Sequence, residues 1–184
     1  MKHIGKILFA FGCFVFSINT LAQEAKNLPY KAAWATDLED WHVVDNKYQS
    51  KTWNWKAAEI VSITDSKKAN DDWLISPVIN CSGKGTKKVV LNAGWNKAQS
   101  SNVSLYYSLN YNGDVAAADW TLVDENIIPD SHPYGFKSAA YWAYSQKLKI
   151  NANKVHFAIR YQSYRQAGEK QNEIRIRRFK VQGK

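Results

Sequence analysis

Two adjacent carboxylates, Asp71 and Asp72, run straight into the apolar segment Trp73-Leu74-Ile75-Ser76 and a proline at 77. Such a pair can share a proton in acid–base catalysis or donate oxygens to calcium when both side chains reach one site. Extended backbone forbids that convergence, because neighbouring side chains on a strand point to opposite faces. The Asn70-Asp71-Asp72 stretch is therefore expected as a solvated lead-in to a short strand over 73–76, which Pro77 ends by lacking an N–H. A part in a structural calcium site or in hydrogen bonding a glycan is the alternative. Of the remaining chemical groups, His42, His132 and His156 have no metal-ligand spacing, and no cysteine pair supports zinc. Cys81, in V-I-N-C-S, reads as a small buried residue at a strand end. The loop Asn110-Tyr111-Asn112-Gly113-Asp114 lacks the sixth-position glycine and twelfth-position acid of a calcium loop and reads as a tight turn at Asn112-Gly113. No nucleophile elbow, phosphate loop or dinucleotide fingerprint occurs. A triad or carboxylate pair assembled in space would leave no such local trace.

The aromatic residues carry the functional case. The chain has eight Trp and ten Tyr, none in its first 22 residues. Trp73, Trp120, Phe157 and Tyr161 suit inward core positions. Others crowd loop-like sites: W-N-W at 53–55, Trp95 before Asn96, Y-W-A-Y at 141–144, and Y-Q-S-Y-R at 161–165. Sugar faces stack on aromatic rings while nearby amides and guanidinium groups bond the hydroxyls. The candidate ligand-binding residues are Trp53, Trp55, Trp95, Asn96, Trp142, Tyr144, Tyr164 and Arg165. Burial under wide sheets and loops is the competing explanation for each ring.

The elements that must hold these groups are short β segments separated by Gly, Asn, Asp and Ser, with no sustained helical periodicity. Strands are expected near 32–36, 41–44, 57–63, 73–76, 87–95, 102–108, 120–123, 141–150, 154–161 and 173–181. Alternation places Val103, Leu105 and Tyr107 opposite Ser104, Tyr106 and Ser108. It also places Val155, Phe157, Ile159 and Tyr161 opposite His156, Ala158 and Arg160, giving one dry face and one wet. In 173–181 the inward set changes parity from Ile174 and Ile176 to Phe179 and Val181. One extra residue, a β-bulge at Arg177-Arg178, restores the register. The fold class is an all-β, two-sheet antiparallel jelly-roll sandwich, galactose-binding-like, with a signal peptide ahead of it.

Residues 1–22 carry Lys2 and Lys6, an apolar run from Ile7 to Ile18 and the small-residue site Thr20-Leu21-Ala22. That is the layout of a secretory signal peptide. Residues 23–184 then form one domain, without a transmembrane segment, secreted to the periplasm, cell surface or medium. With Cys13 removed, Cys81 has no disulfide partner. The formal charge of +9 includes two leader lysines and no leader acid, which leaves +7 on the exported domain. Export argues against nucleic acid, and the surplus favours polyanions such as acidic surface glycans.

In order, D-D-W-L-I-S-P-V-I-N (71–80), K-K-V-V-L-N-A-G-W (87–95), V-S-L-Y-Y-S-L-N-Y-N-G-D-V-A-A-A-D-W-T-L-V (103–123), K-V-H-F-A-I-R-Y (154–161) and I-R-I-R-R-F-K-V (174–181) resemble the choice-of-anchor J jelly-roll domain. This is close to the cleaved-adhesin domains of exported Bacteroidetes proteins, and the resemblance spans residues 30–182. It implies an accessory adhesion or carbohydrate-binding-like module with no catalysis, in which a structural calcium ion ties the sheet ends. Arg177 and Arg178 stand where that family places oxygen ligands, which disfavours calcium. The acids Asp37, Glu39 and Asp40, weak metal candidates with Asp71 and Asp72, are expected to pair with those arginines instead. The functional expectation is a secreted, non-catalytic, cofactor-free adhesion or glycan-binding module. The alternatives are a structural or protein-interaction domain of a surface assembly and, third, a hydrolase with a spatially assembled site.

Overall fold

The computed structural model describes residues 24–46, 52–64, 69–96, 101–129, 131, 135, 141–164 and 172–183. The leader, His132 and Arg165 lie outside the described residues. Among the described residues eleven strands form: β1 Tyr30–Lys31, β2 His42–Asp45, β3 Asn54–Ala57, β4 Ile60–Thr64, β5 Asn70–Ile75, β6 Lys87–Trp95, β7 Ser101–Ser108, β8 Trp120–Asp124, β9 Trp142–Leu148, β10 His156–Ser163 and β11 Glu173–Gly183. They build two antiparallel sheets: one ordered β3-β4-β11-β6-β9, with β1 also on β11, and one ordered β2-β5-β10-β7-β8. The fold is an all-β jelly-roll sandwich, with no helix among the described residues.

Period-two patterning explains the layers. Val103 and Leu105 of β7, Phe157, Ile159 and Tyr161 of β10, Val89 and Leu91 of β6, and Ile174 and Ile176 of β11 are all fully buried in one core between the sheets. The parity change in β11 is real. Pairing with β6 slips between Arg177 and Lys180, and beyond the slip Phe179 and Val181 again point inward. Aromatic edges lock the core: Trp41 meets Trp34 at 5.1 Å and Phe179 at 4.9 Å between ring centres, both edge-on. Each such contact contributes about 0.5–1.5 kcal/mol beyond the area it buries.

The wet face expected of the five-stranded sheet is partly dry. Trp73, Ile75 and Ala158 point outward from that sheet, and the 109–119 loop folds back over them with Val115 and Tyr111. Trp120 joins them at 5.0 Å from Trp73, its Nε1 donating to Val115 O. Trp73 and Trp120 therefore occupy a second cluster and not the sandwich core, where Phe157 and Tyr161 do lie. Asn110 and Asp119 close the loop by two hydrogen bonds of 2.9 Å, and Gly113 supplies its left-handed turn at φ 108°.

Three expected segments differ by more than two residues or are split. The first ladder occupies 30–31 and not 32–36, because Trp34 turns into the left-handed region at φ 40° to bury its ring. The segment 57–63 is split by a hairpin at Glu59, φ 61°, whose N–H donates to Trp34 O. β5 starts at Asn70, so Asp71 and Asp72 belong to the ladder between β2 and β10 and are buried, not solvated. Pro77 marks the exit from that central strand.

Candidate functional site

At one margin of the sandwich the sheets stand apart. β9, an edge of the larger sheet, faces the chain leaving β8, an edge of the smaller one. Between them runs a groove of about 300 Å³ lined by Asp124, Asn126, Ile127, Pro129 and the first five residues of β9, Trp142 to Gln146. Trp142 and Tyr144 pair with Ala93 and Leu91, so they share the inward face of β9. Tyr144 reaches the core and is buried, whereas Trp142 overhangs the groove and keeps 41% of its surface in solvent. The Tyr144 hydroxyl is buried against the Asp124 carboxylate without meeting hydrogen-bond geometry. Burial first, and that neighbouring charge second, raise its pKa above the ordinary tyrosine value. An exposed ring, a buried hydroxyl without a hydrogen-bond partner among the described residues, and the polar side chains of Asp124, Asn126 and Gln146 are the ingredients of a small polar-ligand site.

The other aromatic candidates are not gathered there. Trp53 is buried, edge-on to Tyr161 at 6.4 Å, with Nε1 donating to Asp72 O. Trp95 is fully buried in the core, which corrects its reading as a loop-facing ring. Asn96 is structural: its Oδ1 accepts from Glu173 N at 2.6 Å and its N–H donates to Glu173 O. Trp55 is 40% exposed on β3, at the opposite edge of the larger sheet from Trp142, with Nε1 donating to Trp34 O. Tyr164 is exposed just past β10 in the other sheet. Asp124, Asn126 and Gln146 went unnoticed in the sequence because they come from a strand end, a loop and an edge strand. The alternation of Tyr141 and Ala143 with Trp142 and Tyr144 in Y-W-A-Y is the one signal that could have shown which rings share a side.

The acidic candidates are engaged elsewhere. Asp71 faces outward from β5 and holds Arg160 with two hydrogen bonds, while Asp72 faces the core and accepts from Asn70 Nδ2 at 3.0 Å. Burial foremost raises the Asp72 pKa to about 6, with Asn70 and Thr52 opposing it and the charges of Asp45 and Asp71 adding to it. As alternation requires, the two carboxylates do not meet. Asp40 pairs with Lys26 at 2.7 Å, Asp37 accepts from Glu39 N, and Glu39 accepts from Ala35 N. The expected pairing of these three acids with Arg177 and Arg178 is therefore wrong. The acid beside Arg178 is Glu59, 3.7 Å away and also bound by Lys31, so one carboxylate ties β1, the β3–β4 hairpin and β11. That arrangement does not fit calcium: two cations already hold the Glu59 carboxylate. Among the described residues no three His, Cys, Asp or Glu side chains converge as metal ligands. His42 and His156 do meet, but at Tyr111: His42 Nδ1 lies 2.9 Å from its hydroxyl, and the His156 ring packs edge-on against it.

The two layers define a jelly-roll sandwich. Among solved structures the chain is similar to the cleaved-adhesin domains of Lys-gingipain from Porphyromonas gingivalis. The K1 domain is 12% identical with a TM-score of 0.58, covering 84% of this chain and 98% of that one. The K3 domain is 14% identical with a TM-score of 0.59, covering 83% and 97%. The K2 domain is 14% identical with a TM-score of 0.50, covering 85% and 99%. At these identities the likeness shows a shared fold. No protein family matches the sequence, and no curated protein matches it.

Proposed function

We propose that this chain is a secreted, non-catalytic adhesion module that holds a polar glycan in the Trp142 groove. The observation that carries the reading is a half-exposed indole set over a groove of about 300 Å³ whose other walls supply a carboxylate, two amides and a buried phenol. A pyranose ring laid on Trp142 buries its apolar face, while Asn126 and Gln146 bond hydroxyls and Asp124 accepts from them. The signal-peptide layout of residues 1–22 and the likeness to adhesin domains support export and surface attachment. Engagement of Asp71 by Arg160, and burial of Asp72 on the opposite face, support a role without turnover.

The test is a glycan array on the purified chain at low and physiological salt, followed by titration of the best neutral oligosaccharide into Trp142→Ala. Binding that persists at physiological salt and weakens at least tenfold in Trp142→Ala is expected. Binding that salt abolishes, or that Trp142→Ala leaves intact, overturns the reading.

A further inference from the structure

The bulge in β11 places two cationic residues on one side of a strand where regular pleating permits one. Ile176 and Phe179 both point into the core, so Arg177 and Arg178 between them are both left outside. With Asn92 of β6 and Tyr141, just ahead of β9, they line a polar cleft of about 110 Å³. None of these four residues lines the Trp142 groove.

The cleft is organised and electrically unbalanced. The Arg177 guanidinium lies over the Tyr141 ring, 4.9 Å from its centre, which fixes the plane of the fork. Its Nε is buried and has no acceptor among the described residues. A buried donor left unpaired is destabilising, and an acceptor brought to it would relieve that. Arg178 sits in the left-handed region at φ 59°, a strained conformation for a side-chain-bearing residue. Its acid, Glu59, is shared with Lys31. Among the described residues the next acid along this face, Glu173, is held by Arg175, and Lys180 and Lys88 follow on the paired strands.

We propose that this cleft binds one oxyanion, a carboxylate or sulfate, either free or carried by an acidic saccharide. The space admits a group of that size with a water or two and no larger planar base. Two guanidinium groups present forked donors to its oxygens, and the Asn92 amide adds a further donor. The site is separate from the glycan groove, so it stands or falls without that reading.

The experiment titrates sodium sulfate, a trigalacturonate and a heparin-derived tetrasaccharide into the purified chain at constant ionic strength, with the Arg Nε–H and Asn side-chain NMR signals as readout. Shifts at Arg177 and Asn92 are expected, with affinity falling at least tenfold in Arg177→Gln/Arg178→Gln. Lys84→Gln/Lys149→Gln removes the same charge from another surface and is expected to stay within twofold. Arg177→Lys keeps the charge and loses the stacked fork, and it is expected to bind several-fold more weakly. Saturation by sulfate that displaces either oligosaccharide places all three in one site, and saturation by sulfate alone assigns the cleft to the free ion. Equal losses in the two double variants, or no saturable shift at Arg177 with any of the three probes, overturn the proposal. A thermal melt of each variant confirms that the folded chain is what was titrated.

Discussion

Arg160 grips Asp71 through both ends of its fork, Nε to Oδ1 at 2.7 Å and Nη2 to Oδ2 at 2.9 Å, across the β10–β5 ladder. The guanidinium also covers the Trp73 ring at 4.9 Å. Both side chains are mostly withdrawn from water, so the pair is worth more than a surface ion pair. Asp71→Asn is expected to cost about 2 kcal/mol, and Arg160→Lys nearly as much because lysine offers no fork. For a domain of this size that lowers Tm by about 6 °C. Chemical denaturation of the single and double variants checks the point: the two losses should not add, since either change breaks the same contact.

Asp72 makes stability fall with rising pH. Its folded pKa is raised to about 6 from an ordinary 3.8, so the protonated acid is the form the fold prefers. Its stabilising effect is complete below the unfolded pKa and is lost as pH rises through about 6. Asp72→Asn, which mimics the neutral acid, is expected to gain roughly 3 kcal/mol at pH 8, and that gain should vanish below pH 3.8. His156, whose pKa burial lowers, acts with the opposite sign, losing stability as pH falls. Unfolding of Asp72→Asn and the parent chain across pH 3 to 8 isolates the first effect by difference.

Tyr144 and Trp142 separate stability from binding in the groove. Tyr144→Phe removes a buried hydroxyl that has no hydrogen-bond partner among the described residues, so stability is expected to hold or rise by about 1 kcal/mol. Trp142→Ala removes a half-exposed ring and is expected to lower Tm by only a few degrees while abolishing neutral-glycan retention. Parallel melts and affinity electrophoresis distinguish the two.

Cys81 is expected to be inert in the folded chain. The thiol is fully buried, its N–H bonds Ala152 O, and burial pushes its pKa up to about 11. Maleimide labelling at pH 8 should track global unfolding, becoming fast only above the denaturant midpoint.

What could be read from the residues was local and periodic. The alternation in Val103–Ser108 and Lys154–Tyr161 yields two facing layers, and the broken parity of Ile176 and Phe179 locates the bulge to the residue. Alternation says which side chains share a face but is silent on what covers it. Alternation puts Trp73 and Ile75 on one face, but in sequence that face reads as the core face, because their covering, the loop around Val115, comes from more than thirty residues away. Likewise Asp71 is a buried ion pair only because Arg160 arrives beside it from β10. The groove assembles from β9 and the chain after β8, a proximity set by sheet order.

The pairing of β1 with β11 also has a mechanical consequence. Tyr30 and Lys31 lie against Val181 and Lys180, so the chain departs from both strands at one end of the sandwich. Tension drawn between residues 26 and 183 would first break the bridge of Lys26 to Ile79 and unzip that two-rung ladder, one hydrogen bond at a time and at low force. It would then meet β11 clamped between β4 and β6, where strand extraction must break rungs on both flanks together. A module strung between two attachment points would thus lengthen slightly under small loads and resist large ones.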